Sequence, residues 1–200
     1  MIRFATLGPS GSNHQFVVER YLAFHGLGDC ATISLHSDFS AGVASVLDGG
    51  ADFLVQCAVH PSTPGTVARY FDGLYVVDTF ISPSRELAII RNRAKPQSRS
   101  IAAMQPTLGY TDLSKWQEII PADTVAAVEL GLLEGRYDAG LTYASLADDH
   151  PDRFCVSEHI GSVDDAWIVY GRQRVSGGDL VACSSSPAIA IFRLISGASA

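Results

Sequence analysis

The stretch Leu7-Gly8-Pro9-Ser10-Gly11-Ser12-Asn13-His14-Gln15-Phe16-Val17 decides how the rest of the chain is read. Upstream, Ile2 to Leu7 is an apolar run of strand length that ends in Gly8-Pro9. Downstream, Gln15 to Leu22 carries the apolar residues of a helix. A strand that enters a tight turn and opens a helix is therefore expected. The first N–H groups of such a helix have no partner within it, and here they stand beside the hydroxyls of Ser10 and Ser12. Amides and hydroxyls gathered in this way form an anion site, so a pocket for a small acid is expected at this point.

Strands and helices alternate along the rest of the chain. Ala31 to Leu35 reads as a strand. Asp38 to Asp48 reads as a helix capped by Ser37 or Asp38 and stopped by Gly49-Gly50. Phe53-Leu54-Val55 is a buried strand, His60 to Gly65 a loop, Thr66 to Tyr70 a short helix, and Leu74 to Phe80 a strand leading out of the first unit. A second unit starts near Glu86 to Ile90 and continues through the strand Ile101 to Met104. It then includes the helix Asp123 to Leu133, capped by Asp123 or Thr124 and ended at Gly135, and the strand Ala139 to Thr142. Ser157 to Ile160 reads as the return path and Ala166 to Tyr170 as a strand. This alternation predicts an α/β layer fold. We expect residues 1–80 with 158–200 in one lobe, 81–157 in the other, and a cleft between them. The Ser-, Gly- and Ala-rich tail 176–200 fits a strand, a helix or an extension equally well.

Composition narrows the function classes. Of the 200 residues, 47% are hydrophobic and 18% charged, which is globular rather than disordered. The formal charge of -7 argues against a protein that coats nucleic acid, while leaving room for a local basic pocket. No apolar run reaches the roughly 18 residues of a membrane span. Ile2-Arg3-Phe4 starts a strand rather than a signal peptide, so a cytoplasmic location is expected. Cys30, Cys57, Cys155 and Cys183 lack the close pairs of a structural zinc site, and the histidines are dispersed. We expect unpaired, mostly buried thiols and no metal.

The series of motifs resembles the catalytic domain of prephenate dehydratase. Its Gly-Pro-x-Gly-Thr-Phe-Ser looks like Gly8-Pro9-Ser10-Gly11-Ser12-Asn13-His14, and its Thr-x-x-Ala-Ala helix is similar to Thr124-Val125-Ala126-Ala127. The strand that follows is similar to Asp138-Ala139-Gly140-Leu141-Thr142, and the order of motifs agrees from about residue 2 to 172. The resemblance implies a two-lobed periplasmic-binding-protein-like (type II) α/β fold with substrate in the interlobe cleft. It leaves no room for the amino-acid-sensing ACT domain that many members carry.

Two departures redirect the implied chemistry. Asp165-Ala166-Trp167 stands where the dehydratases place Thr-Arg-Phe, and Gln56 to Thr63 replaces their Pro-Ile-Glu-Asn-Ser. The non-aromatising prephenate decarboxylase branch, of bacilysin-type antibiotic biosynthesis, is similar in length. It has Thr-Leu-Gly-Pro-x-Gly-Thr-Ser like Thr6 to Asn13, and a small residue before Trp like Ala166-Trp167. The resemblance thus implies a lyase on prephenate or a close dicarboxylate analogue. Decarboxylation that keeps the hydroxyl is the leading reaction; dehydration to phenylpyruvate and a non-catalytic small-anion binding module are the alternatives.

Dehydration needs a general acid on the leaving hydroxyl, whereas decarboxylation must deliver a proton to a diene carbon. Neither calls for a cofactor where fixed donors stabilise the developing charge. His60 and His14 are the histidines next to expected cleft loops and are candidate proton donors. Gln56 offers an amide at the end of a buried strand. Ser10, Ser12, Asn13, Ser62 and Thr63 are candidate substrate ligands, joined by Thr124 and Thr142 through the resemblance. Arg85, near the expected hinge, is a candidate bidentate carboxylate clamp. Asp165 repels a dianion, so it is expected outside the pocket or as a protonated acid. A homodimer is the default assembly.

Overall fold

β1 (Ile2–Leu7) buries Phe4, Ala5 and Thr6 and leads into a cis Gly8–Pro9 peptide. α1 (Asn13–Phe24) begins at Ser12, whose hydroxyl accepts the Gln15 N–H and so satisfies one orphan donor of the first turn. β2 (Ala31–His36), α2 (Phe39–Leu47), β3 (Phe53–Cys57), α3 (Thr63–Tyr70) and β4 (Tyr75–Pro83) follow. Asp38 caps α2, and Gly49 leaves it at φ +80°, a conformation that a Cβ would disfavour.

The chain then builds β5 (Leu87–Asn92), β6 (Ser100–Met104), β7 (Glu118–Ala122), α4 (Val125–Leu133), β8 (Ala139–Tyr143), α5 (Ser145–Asp149) and β9 (Phe154–Gly161). β10 (Asp164–Gly171) goes back to the first sheet, and α6 (Pro187–Ser196) lies in the tail. This computed structural model describes residues 1–183 and 187–196; the remainder of the tail lies outside the described residues.

Two five-stranded sheets result, ordered β2-β1-β3-β10-β4 and β7-β6-β8-β5-β9. In the first, β1 is parallel to β2 and β3, while β10 runs antiparallel to both β3 and β4. In the second, β6 is parallel to β7 and β8, and β5 is antiparallel to β8 and β9. With helices on their faces, the sheets form a two-lobed α/β, periplasmic-binding-like architecture.

Each lobe closes around its own apolar layers. On one face of the first sheet, Val17, Val18 and Leu22 of α1 pack on Phe4, Val55, Trp167 and Val169. On the other, Phe39, Val43 and Val46 of α2 pack on Ala5, Leu54 and Tyr170. Fully burying such a side chain stabilises the fold by about 1.5–3 kcal/mol. In the second lobe α4 sits directly on β8, where a Cβ on Gly140 would come within 2.4 Å of Val128 Cγ1.

Several expectations are corrected. Ser157 to Ile160 lies within β9, in the second sheet, so residues 162–163 carry the return instead. The lobe limits expected at 80 and 158 fall inside β4 and β9. β7 was not foreseen because Glu118-Ile119-Ile120-Pro121-Ala122 is a half-exposed edge strand, where Pro is tolerated and no continuous apolar run is needed. Only Cys57 is a buried thiol; Cys155 is half-buried, and Cys30 and Cys183 sit exposed outside the sheets. Among the described residues no helix is long and apolar enough to cross a membrane, and no group of three or more His, Cys, Asp or Glu is arranged to hold a metal ion.

Candidate functional site

The antiparallel entry of β10 brings four chain segments to one edge of the first sheet. Trp167 lies opposite Cys57 and Asp164 opposite Pro83, so the start of β10 and the end of β4 join the carboxyl ends of β1 and β3. Ligands of open α/β sheets bind outside such carboxyl ends.

Four rings converge there. His14 meets Trp167 at 5.1 Å, Phe39 at 5.4 Å and His60 at 5.9 Å between centroids, and Phe39 meets His60 at 4.8 Å. Burial, and next the neighbouring His60, push His14 down to about 4; burial lowers His60 as well. Both imidazoles are therefore neutral at pH 7. The Ser62 N–H donates to His60 Nδ1 at 3.2 Å, which leaves the proton on Nε2. Ser62 Oγ lies 2.7 Å from the same Nδ1 and accepts the Gln56 amide at 3.0 Å, so its own proton is directed at His60. His14 Nε2, Gln56 Oε1 and Trp167 Nε1 are buried without a hydrogen-bond partner among the described residues. Leaving such a group unpaired costs about 1–3 kcal/mol.

A cavity of about 360 Å³ opens beside this cluster between α2 and α3, with His60, Ser62, Phe39, Thr66, Arg69 and Tyr70 in its walls. A second, of about 640 Å³, lies between the lobes, with Ser10, Ser12, Gln15, Arg85, Ser145 and Asp148 in its walls.

Between the cavities a hydrogen-bonded hub ties the lobes. The Asn13 N–H donates to the Tyr143 hydroxyl at 3.1 Å and its Nδ2 to Ser84 Oγ at 3.2 Å, while its Oδ1 accepts the Arg85 N–H at 2.9 Å. Ser84 in turn donates to Asp165 at 2.6 Å. The Arg85 guanidinium lies 3.7 Å over the Tyr143 ring and donates to the Gly11 carbonyl and, at 3.1 Å, to Ser145 Oγ. The hydroxyl of Tyr110, from the second lobe, is raised by burial first and then by Asp165 and Cys57. Burial raises the Cys57 thiol to about 11 against the opposing pull of the Val59 and His60 N–H groups.

The structure thus brings His14, Gln56, His60 and Ser62 together and gives the other expected residues, Ser10 apart, internal partners. The Thr63 hydroxyl donates to the Cys57 carbonyl at 2.8 Å, and Ser12 caps α1 and donates to Leu7. Thr124 caps α4, and the fully buried Thr142 donates to the Val125 carbonyl at 3.0 Å. Asn13 and Arg85 serve the hub, and Ser10 is exposed at the interlobe cavity. Sequence reasoning missed Trp167 as a donor, Tyr110 and Arg69. Only Arg69 left a signal: Ser62, Thr66 and Arg69 recur at helical spacing.

No family model and no curated protein matches this sequence. Solved structures do match in fold. A prephenate dehydratase from Arthrobacter aurescens, in complex with L-Phe, superposes with a TM-score of 0.67 at 18% identity over 90% of this chain and 63% of its own. The prephenate dehydratase of Staphylococcus aureus subsp. aureus Mu50 gives 0.61 at 13% identity, over 86% of this chain and 67% of its own. GqqA, described as a novel type of quorum quenching acylase, gives 0.54 at 16% identity, over 87% and 65%. The chain therefore spans about two thirds of the length of these structures, which share its fold.

Proposed function

We propose that this protein takes prephenate or a close dicarboxylate analogue at the edge of the first sheet, beside His60 and the cavity between α2 and α3, and removes its ring carboxylate while keeping the hydroxyl. One observation carries this: the neutral cluster of His14, Gln56, His60, Ser62 and Trp167, with three buried polar atoms unpaired at the sheet edge. Loss of carbon dioxide disperses the charge of a carboxylate, so the step is favoured where little water and no strong cation hold that charge in place. The electron pair left behind enters the ring diene and must be protonated at carbon. His60, with its proton on Nε2, is the donor proposed for that step, and the half-buried ring regains a proton from water once carbon dioxide has left. A neutral imidazole is too weak an acid to expel hydroxide, which supports retention of the hydroxyl. The fold shared with two prephenate dehydratases makes prephenate the first substrate to try.

A second reading, a binding module that holds a small organic acid without turnover, is supported by the neutrality of both histidines at pH 7. Incubation with prephenate, followed by ultraviolet absorbance and product mass, tests all three outcomes. A dihydro-hydroxyphenylpyruvate is expected. Phenylpyruvate would replace decarboxylation by dehydration, and saturable binding with no product would leave the binding module.

A further inference from the structure

We infer that Arg69 is the carboxylate clamp of this site, and that the cavity between α2 and α3 receives the acidic side chain of a small, ring-bearing organic acid. The ring and the lyase chemistry rest on the function proposed above; the clamp itself rests on the geometry of the cavity.

Arg69 forms part of the cavity wall and has no hydrogen bond or ion pair among the described residues. Arg85, the clamp expected from sequence, has donors committed to Gly11 and Ser145 and its face to Tyr143. Ser62, Thr66 and Arg69 stand at the cap and at successive turns of α3, so a hydroxyl near the buried cluster and a guanidinium near the mouth line the same space. Behind Ser62 lies Gln56, completely buried, with its Oε1 unpaired. Leu7, Phe39 and Tyr70 supply apolar wall for a ring.

Asp38 lines the cavity too and opposes an anion. Its oxygens are occupied, one by the Ala41 N–H at 2.8 Å and the other by the Ser37 hydroxyl at 3.3 Å. One guanidinium beside one engaged carboxylate suits a single carboxylate of the ligand rather than two. A volume of about 360 Å³ also suits one small molecule. The guanidinium fork can hold a carboxylate bidentately, which a lysine at the same place cannot.

Calorimetric titration of the full chain with phenylpyruvate and with its uncharged methyl ester reads the clamp directly. The acid is expected to bind more tightly than the ester. Arg69→Gln is expected to weaken the acid by roughly tenfold to a hundredfold, the worth of a charge-assisted hydrogen bond, with ester affinity unchanged. Arg69→Lys should recover part of the loss. An unchanged urea midpoint for Arg69→Gln, an exposed position, shows that the fold is intact. Equal loss for acid and ester, no loss for either, or no saturable binding of the acid by the unaltered protein overturns the clamp. If the protein turns over prephenate and Arg69→Gln leaves KM unchanged, the clamp falls and the lyase stands. If Arg69→Gln loses the acid preference but the protein makes no product, the lyase falls and the clamp stands.

Discussion

Truncating Trp167 to alanine is expected to remove about 3–5 kcal/mol of stability, read as a lower urea midpoint with little change in slope. Trp167 is completely buried on β10, between β3 and β4. Its ring stacks on Phe80 at 6.4 Å and meets the edge of His14 at 5.1 Å, within the layer formed by Val17, Val18 and Val55. No neighbouring segment can collapse into the space without breaking the sheet, so most of the void remains. Trp167→Phe separates packing from hydrogen bonding. It keeps an aromatic ring and removes the unpaired indole N–H, so its stability loss should be well under half that of the alanine variant. Its affinity for a bound acid should fall if the indole donates to the ligand. A Phe variant as unstable as the alanine one would contradict the packing account, and unchanged affinity would remove Trp167 from the site.

Acid should weaken the fold through His14. Its folded value of about 4 lies below the ordinary 6.5, because burial, and after it His60, disfavour the charged ring. Between those values the unfolded chain binds more protons than the folded one, and stability rises with pH wherever that holds. Stability is therefore complete above about 6.5, falls as pH drops towards 4, and loses nothing more from this group below that. The difference corresponds to a loss on the order of 3 kcal/mol. Urea unfolding of the protein and of His14→Leu across this window should show the unaltered protein losing stability relative to the variant as pH falls, since contributions from groups other than His14 largely cancel in the comparison. A gap that stays constant would mean that His14 is not held neutral.

The strand, turn and helix of residues 2–24 were legible because local chemistry dictates them: an apolar run, Gly8-Pro9, and a Ser12 cap. The same holds for α4, whose cap at Thr124 and stop near Gly135 are both local signals that bracket one short helix. The roles of Arg85 and Asn13 were not legible. Their partners lie 60 to 130 residues away in sequence, and nothing local records that Tyr143 and Ser145 arrive beside Gly11. His60, Gln56 and Ser62 could be named from a loop and a strand end, but not the proton on Nε2, which follows from the Ser62 N–H. β9 was misplaced because its partner β5 lies more than sixty residues upstream and its own residues are mostly half-exposed.

The place of β10 between β3 and β4 sets an order of assembly. On a chain emerging from the ribosome, β4 is made before the second sheet, yet it touches the first sheet only through a strand made after it. The second sheet, made of consecutive segments from β5 to β9, has all its strands before β10 exists. It can therefore mature while the first half waits, with the unpaired edges of β3 and β4 exposed to misassociation. A nascent chain ending after residue 161 should show protected amides in β5, β6 and β8 and little protection in β3 and β4; protection in both halves would refute this order. Completion of the sheet edge that bears the candidate site is then the last event of folding, because the strand that brings Asp165 and Trp167 is also the strand that joins β4 to the sheet.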